Sequence, residues 1–256
     1  DVVDLTVTGG SGNDTLVLTA NGADNEILVN SGAGDDTITI GAVMANASAT
    51  LAGDIIDGGA GTDTLAGDVD LFDAGTAGYT GVTTVTGLSN VEKLSVSGFA
   101  AEDNTVNISN ISADITTLVV TTALDTTNGR TLTVNAAADF NVEIIGSAIL
   151  DGDTLAVDSG AGTADALTIS NTNLATGTNQ MGANDMNITA TDFETVTIDS
   201  GSYTAATAQL VNAINVGTAN DLVLTGGNGF TTTATTGIIT AGTVDASGLS
   251  GGLIMN

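Results

Sequence analysis

Gly9-Gly10-Ser11-Gly12-Asn13-Asp14-Thr15-Leu16-Val17 is the stretch that decides how the chain is read. It returns as Ser31-Gly32-Ala33-Gly34-Asp35-Asp36-Thr37-Ile38-Thr39 and as Gly58-Gly59-Ala60-Gly61-Thr62-Asp63-Thr64-Leu65-Ala66. The first and third are full matches to G-G-x-G-x-D-x-U-x, a nonapeptide of parallel β-helices that bind Ca²⁺. The second has Ser31 in place of the first glycine. Each position has a physical reason. Glycine reaches φ > 0, so the chain turns tightly and aims backbone carbonyls inward. Aspartate adds a hard, charged oxygen, suited to Ca²⁺ with its roughly 6–8 oxygen ligands. The following Thr-Leu or Thr-Ile begins a short strand with its apolar side chain in the core.

Spacing extends the pattern outward. Leu5, Leu16, Ile27 and Ile38 are each 11 residues apart. In that register Asn13, Asp24 and Asp35 share one column, and Asp14, Asn25 and Asp36 the next. The regularity predicts four strand–turn rungs over residues 1–40, stacked so that neighbours bury a core no single rung could make. Asp14 and Asp36 are then expected on one side of the stack, two rungs apart. The candidate calcium ligands are Asp14, Asp36 and Asp63, with the turns of Gly10, Gly12, Gly32, Gly34, Gly59 and Gly61. Asp24, Asp35 and Asp57 are further candidates beside them.

In these motifs the chain resembles the repeats-in-toxin (RTX) calcium β-roll proteins, and among them the bacterial surface-layer (S-layer) proteins. The strong motifs cover roughly residues 1–70. The resemblance implies an all-β, right-handed parallel β-roll or β-solenoid, with an RTX-like calcium-binding part over 1–70 and a degenerate β-rich continuation over 71–256. It implies Ca²⁺ as cofactor and export by type I secretion to the cell surface. It also implies self-assembly into a lattice or filament, with a cell-surface polysaccharide as a further partner. Degenerate echoes follow later. Asp151-Gly152-Asp153-Thr154-Leu155 keeps the D-T-L end, which makes Asp153 a candidate ligand. Gly160-Ala161-Gly162-Thr163-Ala164-Asp165 carries one extra residue before the acid and makes Asp165 another. Gly226-Gly227-Asn228-Gly229-Phe230 lacks the acid, so calcium is not carried over to it. Asn90-Val91-Glu92-Lys93-Leu94 and Asp192-Phe193-Glu194-Thr195-Val196 resemble segments of RTX-type S-layer chains more loosely.

Composition narrows the classes. Lys and Arg total 2 against 30 Asp and Glu, a net charge of −28 over 256 residues. This argues against nucleic acid, whose affinity rests on cationic contacts to phosphate, and against anionic membrane surfaces. The natural partner is a cation. With 42% hydrophobic residues the chain has material to bury and is expected to fold. Thirteen of the acids lie in residues 1–75, whereas only Asp221 and Asp245 follow Gly201, so calcium density is expected to fall along the chain. There is no Cys, His or Pro. Metal would therefore do what disulfides do in other secreted domains. No stretch reads as a transmembrane helix or a signal peptide. The start at Asp1 without Met reads as a processed chain or a fragment.

Beyond residue 70 the expected elements are short strands. They are read at 93–96, 106–108, 117–120, 131–134, 142–145, 154–157, 166–169, 195–198 and 222–224, from their Thr, Val, Ile and Leu content. Residues 69–87 read as a bend or boundary, 41–52 as a loop or a turn of helix, and 205–214 as a short helix. The five Phe residues read as core plugs. Catalytic chemistry finds little support. Gly248-Leu249-Ser250-Gly251-Gly252 matches the hydrolase elbow lexically, but without His no Ser-His-Asp triad forms. Zinc lacks His and Cys ligands. The expectation is a structural, non-enzymatic extracellular protein. Two alternatives remain: the calcium-folding module of a secreted hydrolase or toxin, and an adhesin stalk.

Overall fold

The computed structural model describes residues 3–18, 26–41, 55–73, 87–98, 103–121, 129–145, 152–160, 162, 164–172, 186–201, 209–232 and 239–255. The fold is an all-β parallel solenoid, as expected. It divides into two compact units, Asp1–Ser97 with Asn104–Leu118, and Gly98–Asp103 with Val119–Asn256.

The first unit carries β1 (Val3–Thr8), β2 (Thr15–Leu18), β3 (Glu26–Asn30), β4 (Thr37–Ile40), β5 (Ile55–Asp57), β6 (Thr64–Asp68), β7 (Leu88–Ser89), β8 (Lys93–Ser97) and β9 (Asn104–Asn107). A 3₁₀ turn spans Val69–Leu71, and α1 is Ile108–Ile111. β10 (Thr117–Val120) lies where the two units divide the chain. Odd strands form one sheet in the order β1-β3-β5-β7, and even strands run β2-β4-β6-β8 in another. All these pairings are parallel. The 11-residue period is therefore half a coil rather than a full rung. Leu5 pairs with Ile27 and Leu16 with Ile38, so stacking neighbours are 22 residues apart and each coil holds two strands. Asp14 and Asp36 do fall one above the other, as the sequence predicted, but as nearest neighbours.

The second unit repeats the scheme. It contains β11 (Thr131–Asn135), β12 (Phe140–Ile144), β13 (Thr154–Asp158), β14 (Ala166–Asn171), β15 (Met186–Thr191), β16 (Thr195–Asp199), β17 (Gln209–Asn215), β18 (Asp221–Gly226), β19 (Phe230–Thr232), β20 (Ile239–Thr240), β21 (Thr243–Leu249) and β22 (Leu253–Ile254). One sheet runs β12-β14-β16-β18-β21 and the other β22-β19-β17-β15-β13-β11, with β20 also pairing β17.

Strand residues alternate between buried and half-exposed, for example in β4, β6, β8, β11, β13 and β16. Parallel sheets usually bury both faces under helices. Here the coil closes on itself, so one face suffices. Parallel register then lines up identical chemistry. Leu16, Ile38, Leu65 and Leu94 form one inward column. Phe140, Leu167, Val196 and Leu222 form another, all within 1% of full burial. Phe72, Phe140, Phe193 and Phe230 are buried, which fits their reading as core plugs; Phe99 lies outside the described residues.

Two expectations are corrected. The helix read at 205–214 is strand β17 over its described part. A bulge opposite Met186 and Asn187 puts an extra residue between Val211 and Ala213, so Val211 and Ile214 both turn inward. That three-residue spacing imitates a helix face. The strand read at 106–108 ends at Asn107, because Ile108 and Ile111 bury together as one turn of α1.

Candidate metal centre

The three nonapeptide turns stack directly. Ala33 N–H donates to Gly10 O (3.0 Å), Gly34 N–H to Ala60 O (2.8 Å) and Ala60 N–H to Gly32 O (2.9 Å). Gly32 has φ 105° and Gly59 φ 89°. A Cβ on Gly59 would overlap the Gly32 carbonyl oxygen. The glycines are thus needed both for the left-handed turn and for backbone-to-backbone approach. Ser31, the odd member of its column, donates its hydroxyl to Gly58 O at 2.6 Å.

Upon these turns stands a ladder of acids. Asp14 N–H donates to Asp36 Oδ1 (2.7 Å), Asp36 N–H to Asp63 Oδ1 (2.8 Å), and Asp63 N–H to Glu92 Oε2 (2.9 Å). Each carboxylate therefore reaches back one coil. The neighbouring column reaches forward: Asp35 N–H donates to Asn13 Oδ1 and Thr62 N–H to Asp35 Oδ1, both at 2.9 Å. Asp14 also closes its own turn, accepting Gly10 N–H on Oδ2 at 2.8 Å.

The second oxygens matter most for a cation. Asp36 is 1% exposed and Asp63 fully buried, and the Oδ2 of each has no hydrogen-bond partner. A buried carboxylate oxygen without a partner costs several kcal/mol of lost hydration, of the order estimated for burying an ion. Asp63 Oδ2 turns into its own turn, 2.9 Å from where a Cβ on Gly58 would stand; the same Cβ would overlap the Asn90 carbonyl oxygen. A carboxylate oxygen and a backbone carbonyl from the next coil thus both lie against Gly58. This donor set, hard oxygen only, fits a calcium-type cation. Among the described residues no three acidic side chains converge on one point, so turn carbonyls would have to complete any shell. Beside the stack lies a hollow of about 380 Å³ lined by Asp35, Asp36, Thr37, Thr62, Thr64 and Lys93.

Other predicted residues hold different places. Asp57 ends β5 and accepts Gly59 N–H (3.1 Å) and Asn90 Nδ2 (2.7 Å) on Oδ1. Asp158 and Asp199 make the same turn with Gly160 and Gly201. Asp153 is buried and accepts the N–H groups of Gly129 and Arg130 at 3.0 and 2.9 Å. Asp165 is buried and donates its N–H to Glu194 Oε2 at 2.6 Å. Asp24 lies outside the described residues. Sequence reasoning quoted Glu92 and Glu194 without giving them a part; the signal was there, an apolar residue followed by Glu at the start of a strand.

Burial, above all, pushes the Asp63 carboxyl above its ordinary value of 3.8, and the charges of Asp36, Glu92 and Asp35 push the same way, against the opposing hydrogen bond from Asp36 N–H. In metal-free protein the folded state therefore holds this proton more tightly than the unfolded state. The contribution is fully present below 3.8 and is lost as pH rises through the raised value. Metal-free protein is expected to melt at a higher temperature as pH is lowered from about 7 towards the ordinary carboxylate range. Asp63→Asn should flatten that rise. A Tm that falls steadily on acidification in both proteins would refute the assignment.

The chain matches no family model, no curated protein and no solved structure. Among the described residues no helix is long and apolar enough to cross a membrane.

Proposed function

We propose that this chain is a calcium-stabilised, non-catalytic extracellular solenoid of the RTX type that assembles with its own copies into a surface layer or filament. The observation that carries the reading is the ladder Asp14–Asp36–Asp63–Glu92, with the orphaned Oδ2 atoms of Asp36 and Asp63 inside it. No Lys or Arg lies in residues 1–75, and Lys93, in the hollow beside Asp35 and Asp36, sets one positive charge against the several acids of the ladder, so a metal cation is the further counter-charge that suits them. Asp36 and Asp63 would offer Oδ2, with turn carbonyls as further donors. Calcium would supply positive charge and rigid cross-links between coils. Because such a site forms only on folding, its binding energy adds to folding stability.

Self-assembly is supported by the architecture. Parallel stacks end in strands that pair on one side only, and such edges recruit other strands unless protected. Electron microscopy of the purified protein tests the reading. Ordered sheets or filaments are expected at millimolar calcium and should disperse with chelator. Particles that remain monomeric in both conditions at high concentration would overturn assembly, and calcium-dependent folding of such monomers would favour a folding module of a larger secreted protein.

A further inference from the structure

The two units share a construction outside the glycine motifs. Asp63 N–H donates to Glu92 Oε2 at 2.9 Å, while the N–H groups of Glu92 and Lys93 donate back to Asp63 O at 3.1 and 2.9 Å. Asp165 N–H donates to Glu194 Oε2 at 2.6 Å, while Glu194 and Thr195 N–H donate back to Asp165 O at 3.0 and 3.4 Å. Each glutamate follows a left-handed residue, Asn90 (φ 53°) or Asp192 (φ 62°), and a fully buried apolar residue, Val91 or Phe193. Glu92 and Glu194 are 102 residues apart, as are Asp63 and Asp165.

An acceptor for one N–H does not need a charge. A glutamate in this place sets a second carboxylate against a buried aspartate. That arrangement is unfavourable unless a cation joins them, since opposite charges repay burial only when paired. Asp63 supplies the independent sign: its Oδ2 is fully buried and unpartnered, on the side of Gly58 where the carbonyl of Asn90, two residues before Glu92, also lies.

We infer that Glu92 is a further cation ligand, lending the carboxylate oxygen not engaged by the Asp63 N–H to a divalent ion held jointly with Asp63, one coil earlier. The inference rests on the calcium reading above and extends it to a coil that lacks the glycine turn. The pair supplies two carboxylates, enough to neutralise a divalent ion, with backbone carbonyls completing the shell.

Glu92→Gln tests it, with Glu194→Gln as the comparison in the second unit, because glutamine keeps an oxygen for the aspartate N–H and removes only the charge. Calcium binding is measured by isothermal titration, and Tm with calcium and with EDTA. The Glu92 variant is expected to lose one ion or to weaken one site at least tenfold. Its Tm should fall relative to wild type in calcium and rise in EDTA, where a repulsion has been removed. A purely structural acceptor would leave binding unchanged and show no such crossover; that result overturns the inference while wild-type calcium uptake sustains the broader reading. Wild type that takes up no calcium overturns both. Should a variant fail to fold, infrared spectra of wild type carrying ¹³C-labelled glutamate read the same point: a calcium-dependent shift of the glutamate carboxylate band is expected, and its absence overturns the inference.

Discussion

Gly59→Ala is expected to lower the unfolding free energy by roughly 3–5 kcal/mol, and Gly160→Ala by only about 1–2 kcal/mol. Both glycines follow the strand-ending aspartate by two residues, after Gly58 and Ser159 respectively, and both have left-handed φ, 89° and 72°. An alanine at either carries backbone strain of about 1–3 kcal/mol. They differ in what surrounds them. A Cβ on Gly59 overlaps the carbonyl oxygen of Gly32, whereas a Cβ on Gly160 meets nothing within 4 Å. Moving the Gly32 carbonyl also stretches its bond from Ala60 N–H, now 2.9 Å, and forcing an extra methyl into so close a contact adds about 1–3 kcal/mol. Against a total of about 5–15 kcal/mol for a domain, the Gly59 change should be visible as a large shift of the urea midpoint. Equal shifts for the two variants would show that strain alone sets the glycine requirement and that the turns are not tightly stacked.

How far the fold could be read from the sequence follows from how regular each part is. Over residues 1–40 the period is constant, and Leu5, Leu16, Ile27 and Ile38 announce stacked strands. The period cannot say whether a coil holds one strand or two, because both give identical inward columns; pairing Leu5 with Ile27 rather than Leu16 is a tertiary fact. In the second unit the step between stacked strands is irregular. Thr131 pairs with Thr154, but Thr154 pairs with Asn187. A repeat of changing length leaves no periodic signal, so β15, β19, β20, β21 and β22 went unread. The strands that were read there, such as β11 and β16, carry dense Thr, Val and Ile.

The candidate site was half legible. The glycines and the acids Asp14, Asp36 and Asp63 stand in a recognisable spacing. What the sequence does not reveal is how the two oxygens of each carboxylate divide. Oδ1 caps an N–H of the previous coil, and Oδ2 of Asp36 and Asp63 is left without a hydrogen-bond partner. Asp57, a candidate ligand in the sequence, instead spends Oδ1 on the N–H two residues ahead, as Asp158 and Asp199 do. An aspartate before glycine at a strand end is turn chemistry first. Glu92 escaped notice because its longer side chain reaches the ladder from a turn with no glycine at all.

Removing calcium should unfold the first unit well before the second. Neighbouring strands lie ~4.8 Å apart, and two unit charges at that distance repel by about 3.5 kcal/mol at an effective dielectric near 20. The ladder holds three such neighbours: Asp14 with Asp36, Asp36 with Asp63, and Asp63 with Glu92. A hydrogen bond to a charged group returns about 1.5–3 kcal/mol, so N–H capping offsets most of the repulsion without removing it. A bound ion decides the balance. Calcium at about 100 times its Kd adds about 2.7 kcal/mol per site, so two sites add about 5 kcal/mol, comparable with the whole stability of a small domain. Beyond Gly201 only Asp221 and Asp245 remain, and β18 rests on the aliphatic column of Leu222 and Leu224, both fully buried. Hydrogen exchange is therefore expected to show that β2, β4 and β6 lose protection in EDTA by a hundredfold or more, while β18 and β21 keep theirs. Equal loss along the chain, or unchanged protection at Asp36 and Asp63, would mean that packing and the N–H ladder hold the first unit without a metal.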